Sequence, residues 1–255
     1  MAIESTTRGY KGRGRFTLRP LAGGKPFELG NVVELNESIE VERSGRANFQ
    51  NAAGGELDVE ETISSYTFEA TADDISPQNI ALAFRGTSEE LATQSVTDEA
   101  VETWSNVRVA FKYLPDPDQT VTVTLDDVGN TPLVEDTDYV RTAHGLLILE
   151  GAANITFTAD DPTTVLVSYE RNPQYLIQAL VTGGAEYEVI WHGLNSVDGG
   201  NPITSRYFRV KFSPTSGYGR HGGDDFAQLS LSGTVLADES RVGAGESQYV
   251  ETVMI

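Results

Sequence analysis

The chain has 255 residues, a formal net charge of −20 and no cysteine. That length suits one large β domain or two small ones and can bury a core without covalent staples. The missing thiols exclude disulfides, thiolate metal sites and cysteine nucleophiles, and no apolar run approaches the ~20 residues of a membrane-spanning helix. The first ten residues lack the apolar core of a secretory signal, so the expectation is a soluble product made in the cytosol.

The charge is unevenly placed. Residues 1–30 carry six basic side chains against two acidic ones, a net charge of +4, which leaves −24 on the rest. A chain of this balance repels nucleic acid, because affinity for DNA comes mainly from neutralised phosphates. An acidic surface keeps a protein soluble; it also suits a surface that DNA must pass without sticking.

Residues 1–14 mix Gly, Arg and Lys without periodicity and predict a flexible basic arm over 1–15, with a first strand from Phe16 to Leu21. From Val32 to Arg43 the odd positions are largely apolar (Val33, Leu35, Ile39, Val41) and the even ones largely acidic or polar, which is strand periodicity. Val59 to Ala72 is rich in Thr, Ile, Tyr and Phe and predicts a second long strand. Its even positions carry Tyr66 and Phe68 and its odd ones Glu61, Ser65 and Glu69, with Ile63 the exception. Ser44 to Asp58, rich in Gly, Asn and Ala, predicts a long hairpin loop between them.

One helix is well signalled. Ser76 supplies a cap, Pro77 the first helical position, Ile75 and Ile80 a staple, and Gly86 a stop. This predicts a helix over 77–85, and Glu89 to Ser95 a possible further helical turn. Val107 to Leu114 predicts a strand with Val107, Val109, Phe111 and Tyr113 on one face. Residues 116–170 hold short strand candidates at 120–125, 139–141, 146–149, 155–158 and 165–169, separated by turns, and predict an inserted small β subdomain. Three longer strands are expected at 187–194, 207–212 and 227–236. The main domain is therefore expected to comprise 16–114 and 171–255.

Chemistry of the usual kinds is not signalled. His144, His192 and His221 are widely spaced, with no ligand-like pairing. His221 stands near Asp224 and Asp225 in a Gly-rich turn, and His192 is expected half-buried in a strand. Gly12-x-Gly14 and Gly183-Gly184 lack the following helix of a phosphate loop. No nucleophile elbow is present. The chain is read as non-enzymatic, with no catalytic, cofactor or metal residues.

Several segments carry a likeness when taken in order. Gly30-Asn31-Val32-Val33-Glu34-Leu35-Asn36 runs into an acidic strand, a Gly-containing loop and a second strand. Asp74 to Ala83 is a capped helix after that hairpin. Asp136-Thr137-Asp138-Tyr139 is followed by Gly145-Leu146-Leu147-Ile148. Tyr187 to Ile190, Gly193-Leu194-Asn195, and Gly223-Asp224-Asp225-Phe226 through Leu236-Ala237-Asp238 close the series. In this order the segments resemble the tail tube, or major tail, proteins of long-tailed, non-contractile bacteriophages.

The resemblance implies an all-β fold, a β-sandwich with one short flanking helix and a long hairpin loop. It implies six-membered rings stacked into a tube, with an inner β-barrel shared between subunits. The partners implied are further copies of the chain, the tape measure protein in the lumen, and the tail terminator and tail tip proteins. Phage DNA passes through without specific binding, no membrane or cofactor takes part, and the protein resides in the virion after synthesis in the host cytoplasm. Glu34, Glu40, Glu42, Glu61 and Glu69 become candidates for the lumen wall. Ser44, Arg46, Asn48 and Phe49, with Gln50, Asn51, Gly54 and Gly55, become a candidate inter-ring loop. Arg8, Lys11, Arg13 and Arg15 become candidate contacts of the arm. Competing readings are a tail terminator, a type VI-like secretion tube subunit, and a surface adhesion or carbohydrate-binding β module. The last would need an exposed aromatic cluster on a loop, whereas Trp104 and Trp191 sit in or beside strand patterns.

Overall fold

The computed structural model describes residues 9–50, 54–157, 161–197, 199–221 and 226–255. It is mainly β, built of antiparallel sheets, with one short helix among the described residues. The chain divides into two compact units, residues 1–88 with 177–255, and residues 89–176.

The larger unit is organised by one eight-stranded sheet. Its strands are β1 (Gly12–Pro20), β2 (Phe27–Glu28), β3 (Val32–Ala47), β4 (Glu56–Ala72), β13 (Glu186–Asn195), β14 (Asn201–Phe212), β15 (Leu229–Val235) and β16 (Val250–Met254). They run in the order β2-β1-β13-β14-β15-β4-β3, and β16 pairs with β14 beside β15. The strands expected to form a sandwich thus belong, within this unit, to a single sheet. Its two flanks fold over one core: Phe16 of β1 meets Phe68 of β4 at 6.5 Å between ring centroids, and Phe68 meets Tyr207 of β14 at 5.3 Å. Edge-on rings at these distances add to the burial term, which is about 1.5–3 kcal/mol for a fully buried ring such as Phe68.

Helix α1 (Pro77–Ala83) lies against this core through Leu82 and Ala83. The Ser76 hydroxyl accepts the Asn79 N–H at 3.1 Å, the cap its sequence predicts. The helix ends earlier than expected. The N–H of Gly86 bonds Ala81 O and that of Arg85 bonds Leu82 O, a Schellman closure with Arg85, not Gly86, in the left-handed position at φ 46°. Gly86 is glycine for another reason: a Cβ there would stand 2.2 Å from Gln178 O.

The smaller unit begins earlier than the expected insertion. It carries β6 (Gln94–Thr103), β7 (Arg108–Ala110), β8 (Thr122–Leu125), β9 (Tyr139–Thr142), β10 (Gly145–Ile148) and β11 (Thr163–Arg171), in two three-stranded sheets, β7-β10-β9 and β6-β11-β8. Val123, Leu146, Ile148, Val165 and Val167 fill its own core. Two stretches join the units, β5 (Thr87–Leu91) and β12 (Gln174–Gln178), and they pair with each other. Glu89 to Ser95, expected as a helical turn, is therefore strand over most of its length. Its composition, with one Leu, one Ala and one Thr, specifies no element by itself, and the partner strands β11 and β12 supply the ladder. The expected strand at 107–114 shrinks to β7, and Phe111 enters the core by a turn.

The Thr-Asp-Tyr segment owes its pattern to a turn. Asp138 is fully buried and accepts from Val134 N, Asn154 N and Asn154 Nδ2 at 2.8–3.1 Å. Burial opposes its ionisation, yet these hydrogen bonds outweigh burial and hold its pKa below the ordinary aspartate value.

Candidate assembly surface

The most unusual feature of the larger unit is the β3–β4 hairpin. β15 pairs with β4 only over Thr67–Ala72. From Tyr66 outward the hairpin is a two-stranded ribbon with no further strand on either edge among the described residues, and β3 is an edge strand of the sheet. From Glu42 to Ala47 and Glu56 to Ser64 every residue is exposed. A free strand edge of this length offers a row of unpaired N–H and C=O groups.

Two faces of the ribbon differ. Directly opposed residues share a face. On the side continuous with the core the pairs are Leu35↔Ala70, Glu37↔Phe68, Ile39↔Tyr66, Val41↔Ile63, Arg43↔Glu61 and Gly45↔Val59. On the outer side they are Glu34↔Thr71, Asn36↔Glu69, Ser38↔Thr67, Glu40↔Ser65, Glu42↔Thr62, Ser44↔Glu60 and Arg46↔Asp58. The register skips Ser64, because Glu40 pairs with Ser65 and Val41 with Ile63. That bulge resets the alternation along β4. Ile63, the exception in the sequence pattern, is thereby apolar on the apolar side.

The same bulge corrects one candidate residue. Glu34, Glu40, Glu42 and Glu69 do share the outer face. Glu61 does not; it stands opposite Arg43 on the other side. Glu60 and Asp58 take its place, and a strict period of two along β4 could not show them. Past the core this face still carries apolar side chains, interrupted by Arg43 and Glu61: Ile39, Val41, Val59 and Ile63 are each about half exposed, from 45% to 54%.

The expected loop is shorter than its composition suggested. Ser44–Ala47 and Glu56–Asp58 belong to the ladder, and only 48–55 connects the strands. Arg46 pairs with Asp58 at 3.5 Å and Arg43 with Glu56 at 2.5 Å, so charge pairs carry the ladder through a stretch with little apolar content. Asn48 donates its N–H to Gly55 O, Gln50 N donates to the Asn48 side chain, and Gly54 and Gly55 both take positive φ. Phe49 is 93% exposed at the tip. Asn51 lies outside the described residues.

The basic arm also changes character. Arg8 lies outside the described residues, but Lys11 is pinned: its N–H donates to Asn195 Oδ1 at 3.1 Å and its C=O accepts from Ser196 N at 3.0 Å. β1 then begins at Gly12 and pairs with β13 from Gly12↔Asn195 to Pro20↔Tyr187. The glycines that suggested flexibility are seats for an indole. A Cβ on Gly12 would meet the Trp191 ring at 3.1 Å, on Gly14 its Nε1 at 2.8 Å, and on Gly193 its ring at 2.4 Å. Trp191 lies over these positions, stacked on Phe16 at 6.3 Å.

Arg13, Arg15 and Arg19 therefore leave β1 on the outer face. Arg19 reaches the nearly buried Glu188 at 2.6 Å, and Arg206 meets the same carboxylate at 3.4 Å. Arg15 lies 3.6 Å from Glu28. The outer face of the sheet is thus basic along the β1 flank and acidic along the β3 flank. Acidic periodicity in β3 and β4 alone does not reveal the basic flank; alternating Arg13, Arg15 and Arg19 does, once β1 is read as a strand. His192, expected half-buried, is exposed on this face opposite Arg15. Asp224 and Asp225, the suggested neighbours of His221, lie outside the described residues. No group of three or more potential metal-ligating side chains occurs among the described residues, and no described helix is long and apolar enough to cross a membrane.

A family model matches residues 9–253 and bears the description protein of unknown function UCP028589. The chain belongs to that family. The match covers both compact units, so family membership takes in the smaller unit as well as the hairpin-bearing sheet. No curated protein matches the chain.

Proposed function

We propose that the chain is a non-enzymatic structural subunit, the tail tube protein of a long-tailed bacteriophage, which stacks in six-membered rings to form the conduit for DNA. One observation carries the reading. The side of the hairpin continuous with the core carries Ile39, Val41, Val59 and Ile63 past it, and the described residues leave each of them about half exposed. Beside them lie two free strand edges. Further copies of the same chain supply both missing partners: strands to extend the ladder and apolar side chains to cover the face.

The outer face supports the same reading through charge. A basic flank along β1 and an acidic flank along β3 are complementary, so neighbouring copies in a ring meet with opposite signs. On the acidic flank itself the exposed glutamates Glu34, Glu40, Glu42 and Glu69, joined by Glu60, turn toward the passing DNA where the neighbour's basic flank leaves them uncovered, and repel its phosphates. The tape measure protein fills the lumen before ejection, and terminator and tip proteins close the two ends.

Removing the distal ribbon tests the reading. Residues 41–63 include no described buried residue, so replacing them with a tight turn leaves the core intact. The shortened protein is expected to keep its thermal unfolding and circular dichroism while losing all tube growth. Tubes of wild-type length from the shortened protein would exclude the hairpin as the assembly element.

A further inference from the structure

A cavity of about 300 Å3 opens in the larger unit beside the C-terminal end of α1. Its lining includes two cations, Lys25 and Arg85, and no carboxylate. That is unexpected in a chain where acidic side chains outnumber basic ones 38 to 18. Neither cation has an ion-pair partner among the described residues.

Arg85 is held from several sides. Its backbone takes the left-handed conformation, uncommon for a residue with a Cβ. Its carbonyl accepts from Thr182 N at 3.0 Å and Thr182 Oγ1 at 2.8 Å. Its Nε donates to Phe212 O at 2.9 Å, which fixes the guanidinium plane and leaves the two terminal nitrogens for another partner. Gly184 yields room, because a Cβ there would stand 2.9 Å from Arg85 Nε. A cation after a helix is a common cap, but capping does not require the Phe212 bond or the cavity. Aromatic rings also line the cavity: Phe27 and Tyr187 contribute theirs, edge-on to one another at 6.1 Å.

We propose that this cavity binds an organic carboxylate, its oxygens held by Arg85 and Lys25 and its apolar body laid on Phe27 and Tyr187. Arginine suits the role because its fork matches two carboxylate oxygens. Apolar walls with a few convergent polar groups are what small-molecule sites share. A free aromatic or aliphatic acid presents this chemistry, and so does an acidic side chain flanked by apolar ones on a second copy. The site stands independently of the tube reading, since it is built within one unit of one chain.

Calorimetric titration of the full chain with benzoate tests it, with benzamide as the neutral isostere and sodium chloride as the ionic-strength control. Benzoate is expected to bind saturably and benzamide at least ~10-fold more weakly. Lys25→Gln and Arg85→Lys are each expected to weaken benzoate ~10-fold or more, with circular dichroism unchanged. Lys25 is exposed, so its variant serves if Arg85→Lys fails to fold. Sedimentation with and without benzoate separates the sources: loss of self-association identifies a side chain of a second copy, and unchanged association a free acid. Absence of saturable binding, equal binding of benzamide, or wild-type affinity in Lys25→Gln overturns the proposal.

Discussion

The carboxylate of Glu37 on β3 accepts a hydrogen bond from the hydroxyl of Tyr207 on β14, although two strands of the sheet lie between them. It also accepts from Tyr66 on β4 at 2.6 Å. One surface carboxylate thus ties the β3 flank to the central strand β14 where the sheet closes over the core. Tyr66 and Tyr207 are themselves buried, so their hydroxyls depend on it.

Glu37→Leu leaves those two hydroxyls without their acceptor. A buried donor left unpaired costs about 1–3 kcal/mol, so the variant is expected to lose at least that much in urea unfolding. Adding Tyr207→Phe to Glu37→Leu should recover part of the loss, because the orphaned donor is gone. Equal stability of Glu37→Leu and wild type would show that the carboxylate does not tie β3 to β14.

The same tyrosines set an alkaline limit. Burial, then the hydrogen bond and negative charge of Glu37, raise the pKa of Tyr66 and Tyr207 above the ordinary phenol value. Tyr169 in the smaller unit is raised likewise by burial and then by Glu99. The folded protein holds these protons more tightly than the unfolded chain. The stabilisation is complete below the unfolded tyrosine pKa of ~10 and is lost as pH rises toward the raised folded values. Stability should therefore be independent of these groups below pH ~9, then fall by about 1.4 kcal/mol per pH unit for each tyrosine involved. Denaturation curves at stepwise alkaline pH check it. In Tyr207→Phe the slope should flatten; an unchanged slope would remove Tyr207 from the account.

Trp191 supplies a third test. Gly14→Ala would set a Cβ 2.2 Å from His192 O and 2.8 Å from the indole nitrogen. The backbone contact cannot be relieved by a rotamer change, so β1 must shift from β13. The expected result is a loss of about 1–3 kcal/mol with a red-shifted tryptophan emission. Retained stability and emission would show that the glycine seat has slack.

Much of this architecture was legible in the sequence because local signals and tertiary context agree there. Ser76, Pro77 and the apolar face of α1 specify a capped helix, and the period of two in β3 specifies a strand with one acidic side. The failures share a cause: a feature decided by a distant partner. Gly12 and Gly14 read as flexibility, yet they are small because Trp191, far along the chain, lies over them. Ser44–Ala47 reads as loop, yet it joins a backbone ladder with Glu56–Glu60, in which Arg46 faces Asp58. Glu61 reads as facing outward because periodicity carries no mark of the bulge at Ser64. The aromatic-walled cavity was invisible for the same reason, since Lys25, Arg85 and Tyr187 come from separate elements. β16 passed unnoticed because all but one of its residues are exposed and its pairing lies wholly on β14.

Electron microscopy of the purified wild-type protein addresses the central claim most directly. The account predicts hollow tubes built of stacked six-membered rings, in which the β3–β4 ribbon is covered by neighbouring copies and Glu34, Glu40, Glu42 and Glu69 face the lumen. Dispersed single particles over a wide range of protein and salt concentration would contradict it, as would tubes that leave Ile39, Val41, Val59 and Ile63 open to solvent.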